Sequence, residues 1–276
     1  MFCRKIEMIE LTNQTSSTGI KGEIEQAAQS TINVLLEGEN GVGKDYLAGL
    51  IHRKRDWRDE LNICDCECTN RDQVKIVEKI TSGSFFPKLV RSNNKDTLLL
   101  RRIDLLQVHL LAQLSDFLEK LGKRWGVSRN TLLSLGIIGT IEKREDDELP
   151  DHMLLRQLLN NLFCYKIVIP PLRKRVETIP WFIDRFLSIL NCELKRNVTE
   201  LAPETMEIFL QYPWPNNLSE LRAEMERDIT LTKDDEKIRI SALSDRLIKY
   251  AAKTGLLQQS RPKILTEPFV DRSLRA

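Results

Sequence analysis

The sequence predicts an α/β chain: a five-stranded parallel sheet with helices on both faces, then a smaller all-helical subdomain. Three observations predict it. Short apolar runs alternate with amphipathic stretches between about residue 20 and residue 169, as in a parallel sheet with crossover helices. A glycine-rich loop joins the first apolar run to a helical stretch. After Pro170-Pro171 only helical patterns remain.

Residues 1–20 are mixed and end in the polar run Thr12-Asn13-Gln14-Thr15-Ser16-Ser17, which reads as a loop and a helix start. A helix fits 20–29 and the first strand fits 32–37. The glycine-rich loop follows: Gly38-Glu39-Asn40-Gly41-Val42-Gly43-Lys44-Asp45. Strand, glycine loop and helix form the context of a phosphate-binding loop. Glycines let backbone N–H groups turn toward an anion, and the helix N-terminus adds partial positive charge. Lys44 adds a full charge. The next position is usually Ser or Thr, whose hydroxyl binds Mg²⁺; here it is Asp45. The plainer reading is a glycine-rich strand–helix turn with no ligand.

The helix from 44 runs to about Arg53. A second strand fits 61–66. The interval 69–95 is polar, with one amphipathic stretch over 74–80. Leu98-Leu99-Leu100 forms a third strand. Leu106, Leu110, Leu114, Phe117, Leu118 and Leu121 then recur at helical spacing. A fourth strand fits 135–140, an acidic loop 142–151, a helix 153–163 and a fifth strand 164–169. Helices then read over 178–190, 203–211, 217–229 and 241–252. The last stretch, 253–276, holds Pro262 and Pro268 and reads as a loose, basic extension.

The charged fraction is 30% and the hydrophobic fraction 41%, an ordinary soluble balance. A net charge of +2 does not point to nucleic acid or membrane. No apolar run approaches the roughly 20 residues that span a bilayer, and no secretory signal is visible. A cytoplasmic setting follows, with the six cysteines reduced. Cys64, Cys66 and Cys68 would share one face of a strand. No second Cys or His pair completes a zinc spacing, so they read as half-buried strand residues. The three histidines form no metal motif. His109 lies in an apolar helical pattern and reads as structural.

Four stretches resemble one family, over about residues 20–250. Gly38–Lys44 resembles its phosphate loop. Ile169-Pro170-Pro171-Leu172-Arg173-Lys174-Arg175 resembles its Leu-Pro-Pro-Leu-Arg-Glu-Arg segment. Tyr212-Pro213-Trp214-Pro215-Asn216-Asn217-Leu218-Ser219-Glu220-Leu221-Arg222 resembles its Tyr-Pro-Trp-Pro-Gly-Asn-Val-Arg-Glu-Leu-Arg. Strand 98–100 and the helix after it fit the family's third strand and helix. The family is the AAA+ ATPase domain of bacterial enhancer-binding proteins, the activators of sigma-54 RNA polymerase. The resemblance implies an extension over 1–19, an α/β nucleotide-binding subdomain over 20–170, a helical lid subdomain over 171–252 and a tail over 253–276. It implies ATP or ADP as ligand, held by Gly38 to Asp45.

Family members hydrolyse ATP as ring oligomers, and most of the working parts are replaced here. The Asp-Glu expected after the third strand, for Mg²⁺ and for the attacking water, is Arg101-Arg102. A guanidinium can neither bind a cation nor act as a base. Asp104 lies past two charged positions and is expected to point elsewhere. The asparagine expected after the second strand corresponds to Asp65. The sigma-contacting Gly-Ala-Phe-Thr-Gly-Ala string is missing; Ser82-Gly83-Ser84-Phe85-Phe86 is the nearest feature. The arginine fingers fall at Leu155 and Asn161, with Arg156 about 100° round the helix. The lid arginine falls at Ser219, with Arg222 one turn on. The sensor on the fourth strand falls near Thr140 and Ile141, of which Thr140 fits and Ile141 does not.

The resemblance thus implies a nucleotide-binding but hydrolysis-deficient relative, without a carboxylate pair for Mg²⁺. It would act as a regulatory or scaffolding subunit in transcription. Expected partners are AAA+ homologues in a homo- or hetero-oligomer and sigma-54 polymerase. No receiver domain is seen before residue 20 and no DNA-binding module after Ala252. Two alternatives stand beside this reading. One is a slow ATPase using Asp104, Arg156 and Arg222. The other is a nucleotide-free protein-interaction module.

Overall fold

The computed structural model describes residues 18–30, 32–55, 61–82, 97–125, 136–143 and 153–259. The N-terminal segment to residue 17, Phe85 and Phe86, the acidic stretch after residue 143 and the tail beyond residue 259 lie outside the described residues.

Five parallel strands form one sheet in the order β2-β3-β4-β1-β5, which the alternation of short apolar runs and helices predicts. The strands are β1 (Val34–Gly38), β2 (Leu61–Asp65), β3 (Thr97–Arg101), β4 (Ile137–Glu142) and β5 (Tyr165–Val168). The helices of this layer are α1 (Thr18–Ala28), α2 (Lys44–Lys54), α3 (Asn70–Thr81), α4 (Val108–Trp125) and α5 (Met153–Leu162). β1 lies between β4 and β5 and is buried along its length. Its alternate side chains feed two cores. Leu35 packs with Leu98, Leu100, Ile137 and Ile141 beneath residues of α3, α4 and α5. Val34 and Leu36 pack with Leu99, Ile138 and Ile167 beneath α1 and α2. A sheet covered on both faces needs apolar side chains at consecutive positions, which is why Leu98-Leu99-Leu100 is an unbroken run.

The chain forms two compact units. One reaches Thr178 and also takes in Pro213–Ala223; the other comprises Ile179–Tyr212 and the chain from Glu224. The second unit is built from α6 (Ile179–Leu194), α7 (Pro203–Gln211), the end of α8 (Asn217–Leu231), α9 (Asp245–Lys253) and α10 (Leu256–Gln259). Its core includes Phe182, Phe209, Met225, Ile229 and Leu247.

Several expectations are corrected. α3 begins at Asn70, four residues before the amphipathic stretch, because its first turn is polar and carries no apolar signal. β2 ends at Asp65, so Cys66 and Cys68 lie beyond it and the three thiols do not share a strand face. Cys64 and Cys66 sit in the core, where burial raises the Cys64 thiol and pushes that of Cys66 up to about 12. Cys64, Cys66, Cys68 and Cys164 form no disulfide. No group of three or more His, Cys, Asp or Glu side chains is placed to hold a metal among the described residues. His109 is exposed on α4. The start of the expected loose extension is helical, with Leu256 buried. No helix among the described residues is long and apolar enough to cross a membrane.

Candidate functional site

β1 ends at Gly38 and α2 begins at Lys44, with the glycine-rich loop between them. Gly41 and Gly43 have φ of 73° and 101°, left-handed values that favour glycine. Gly43 is the N-cap of α2. Glu39 and Val42 are buried, while Asn40 and Asp45 are exposed.

Every carbonyl from Gly38 to Gly43 accepts a hydrogen bond. The Lys44 ammonium donates to Gly38 O at 2.8 Å and to Glu39 O at 2.7 Å. Asn217 Nδ2 donates to Asn40 O at 2.8 Å. The Leu218 amide donates to Gly41 O, and Arg175 Nη2 to Val42 O at 2.8 Å. The Leu47 amide closes the first turn of α2 on Gly43 O. Glu39 itself is gripped by Arg173 in a two-pronged contact of 2.7 and 2.8 Å. Asn217 Oδ1 accepts from the Leu172 amide at 2.7 Å. Two stretches that the sequence singled out, 169–175 and 212–222, therefore meet the phosphate loop directly. Arg173 and Asn217 were legible as motif members; their grip on the loop was not.

The ends of β2, β3 and β4 face the same place. Arg101 donates to Asp45 at 2.8 Å and to Asp65 at 2.9 Å. Arg102 contacts Asp104 at 3.1 Å and Glu142 at 2.8 Å. Burial lowers the Arg102 guanidinium, but Asp104 and Glu142 outweigh it and the net shift is upward. Burial lowers Lys44 from its ordinary value, opposed by Glu142, Asp104 and Asp45 and assisted by Arg102.

Asp104 does not point elsewhere, as expected from its spacing. Arg102 has a left-handed φ of 52°, which turns the chain sharply after β3. A single 3-10 turn, Ile103–Leu105, then brings the Asp104 carboxylate back to Arg102 and to the Glu142 amide. Ile141 is buried in the core, and Glu142, one residue on, reaches the site. Thr140 Oγ1 accepts from the Arg102 amide at 3.0 Å. On α5, Leu155 is core while Arg156 and Asn161 are exposed. Ser219 lies against Gly41: a Cβ built on that glycine would sit 2.9 Å from Ser219 Oγ.

Residues 11–125 match the family model described as the sigma-54 interaction domain. Residues 173–259 match the AAA+ ATPase lid domain. The chain belongs to the sigma-54 activator family of AAA+ domains. The transcriptional activator RocR of Bacillus subtilis is 30% identical over 239 residues, covering 83% of this chain and 52% of RocR. The regulatory protein XylR of Pseudomonas putida is 27% identical over 230 residues, covering 80% of this chain and 40% of XylR. The chain thus spans about half or less of the length of these relatives. The AAA+ fold is seen again in NtrX from Brucella abortus in complex with ATP. Its TM-score is 0.65 at 16% identity, over 90% of this chain and 61% of that one. It is also seen in AMPPCP-bound DnaA from Aquifex aeolicus, with a TM-score of 0.55 at 16% identity, over 87% and 68% of the two chains.

Proposed function

We propose that this AAA+ domain binds ATP or ADP but does not hydrolyse it at a useful rate, and that it regulates transcription as a regulatory or scaffolding subunit. One observation carries the reading. An ordered phosphate loop faces two guanidinium groups where a metal ligand and a water activator would be needed.

The loop residues fit a nucleotide. Their carbonyls are taken up by protein donors, which favours N–H groups directed to an anion. Gly38 to Lys44 would hold the phosphates, with the α2 N-terminus and the Lys44 ammonium supplying charge. The residues do not fit Mg²⁺ in the same way. Asp45, Asp65, Asp104 and Glu142 are each engaged by Arg101 or Arg102. Arg101 and Arg102 instead provide fixed positive charge near the loop. Losing one transition-state stabiliser commonly costs about 10²–10³ in rate, and an arginine finger roughly 10³–10⁵. Leu155, Asn161 and Ser219 add to those losses.

Membership of the sigma-54 activator family supports a partner in the transcription machinery: sigma-54 polymerase, or an active AAA+ homologue in a mixed ring. A cytoplasmic location goes with that role. A second reading, a slow ATPase, draws on Asp104 and Glu142, whose carboxylates stand near Lys44.

Equilibrium binding of ATP and ADP, with Mg²⁺ and with chelator, beside a phosphate-release assay separates these readings. The expected result is similar affinity in both buffers and release no faster than in Lys44→Ala. A strict Mg²⁺ requirement, or release that depends on Lys44, would favour the slow ATPase. No binding would leave a protein-interaction module.

A further inference from the structure

We infer that Glu39, Arg173 and Asn217 form a positioning set that holds the phosphate loop in its anion-binding shape. The inference deepens the nucleotide-binding reading, and its first readout does not depend on that reading.

Glu39 is 8% exposed and Asn217 is fully buried. A buried carboxylate and a buried amide are costly unless their polar atoms are engaged. Here they engage each other and the loop. Arg173 grips both Glu39 oxygens. Asn217 Nδ2 reaches Glu39 Oε2 at 3.2 Å and Asn40 O at 2.8 Å, while Asn217 Oδ1 takes the Leu172 amide. One side chain thereby fastens the loop to the segment that carries Arg173. The backbone around it is committed to the same end. Asn217 has a left-handed φ of 52° and the buried Trp214 one of 46°. Asparagine accepts that conformation more readily than most residues. The next amide, that of Leu218, closes on Gly41 O at 3.0 Å. These residues stand behind the loop rather than in it. Their contribution is to its shape, and a site loosened by even 1 Å loses function.

Two variants test this. Asn217→Gly removes the side chain and keeps a residue suited to the backbone. Arg173→Lys keeps the charge and loses the two-pronged grip; Arg173 is partly exposed, so it tolerates change. The first readout is amide exchange, without ligand, at Lys143 and Leu47. Both amides donate to loop carbonyls, Gly38 O and Gly43 O, and both are remote in sequence from the substitutions. The expected result is exchange about tenfold faster at both, in both variants. The second readout is affinity for ATP and ADP. The expected loss is roughly 10- to 100-fold, by analogy with the range for outer-shell partners of metal ligands. Exchange that changes only at Leu172, which loses its acceptor in Asn217→Gly, would overturn the inference. So would wild-type affinity in the two variants. Should the unaltered protein bind neither nucleotide while exchange responds as stated, the nucleotide reading fails and the positioning set stands.

Discussion

Arg101 Nη2 lies 2.8 Å from Asp45 Oδ2, so the residue after the phosphate-loop lysine is ion-paired to the end of the third strand. The pair is a third to a half exposed, and pairs of that kind contribute only about 0–1 kcal/mol to stability. Its importance is where it puts charge. Arg101 also holds Asp65, so one guanidinium stands between two carboxylates as a divalent ion would. Replacing it should return both carboxylates to metal binding. Arg101→Ala is expected to make nucleotide affinity depend on Mg²⁺ by roughly tenfold, about one charge-assisted contact, with little change in melting temperature. Calorimetric titrations with Mg²⁺ and with chelator check this. Equal affinity in the two buffers would show that Asp45 and Asp65 cannot serve a metal even when released.

The Lys44 ammonium is 2.7–2.8 Å from two loop carbonyls and is the only side-chain cation within the loop sequence itself. Lys44→Ala should weaken ATP and ADP binding by about 1.5–3 kcal/mol, the usual worth of a hydrogen bond to a charged group. Affinity in the unaltered protein should also fall as pH rises, earlier than for an ordinary lysine, because burial lowers the Lys44 pKa. Titrations across the alkaline range in both proteins check this. The alkaline loss should be absent from the variant.

Gly41 tests how tightly the loop is packed. Its φ is 73°, and a Cβ there would lie 2.1 Å from Asn216 O. Gly41→Ala must meet both a left-handed backbone, at about 1–2 kcal/mol, and a collision with backbone that has no flexible end to move. A lower melting temperature and weaker nucleotide binding are expected. Gly22→Ala is the control. Nothing lies within 4 Å of that position, and alanine in a helix is favoured by roughly 1 kcal/mol, so its melting temperature should rise slightly.

The sheet was legible because buried parallel strands leave continuous apolar runs, and Leu98-Leu99-Leu100 is such a run. The loop was legible because left-handed backbone leaves glycines at fixed spacing. The pairings around the site were not. Arg101 and Arg102 read as two lost carboxylates, and their partners come from four separate places: Asp45, Asp65, Asp104 and Glu142. Sequence spacing misplaced Asp104 because it could not foresee a left-handed arginine before it. Glu142 was missed because the register of β4 against β1 (Gly38 opposite Glu142) places the site one residue beyond Ile141. Asn217 shows in the sequence only as part of a motif, since a side chain that acts across 178 residues of sequence leaves no local signal.

In the helical unit, Asp228 predicts a pH dependence of stability. It is fully buried, and its Oδ2 has no hydrogen-bond partner among the described residues. Burial raises its pKa from 3.8 to about 8, with Glu224 adding to the rise and Arg227 opposing it. Glu224 is itself buried, accepts from the Ser244 amide at 2.7 Å and lies 3.6 Å from Arg246. The folded pKa is above the unfolded one, so the folded state binds the proton more tightly. Its contribution to stability is therefore fully present below pH 3.8 and is lost as pH rises toward about 8. Asp228→Asn keeps the shape and removes the titration. The variant should become progressively more stable than the unaltered protein across that window, and the difference should level off above it. Denaturant melts of both proteins at a series of pH values give the two curves. Parallel curves would mean that Asp228 is ionised in the folded state at neutral pH, with Arg227 supplying all the compensation it needs.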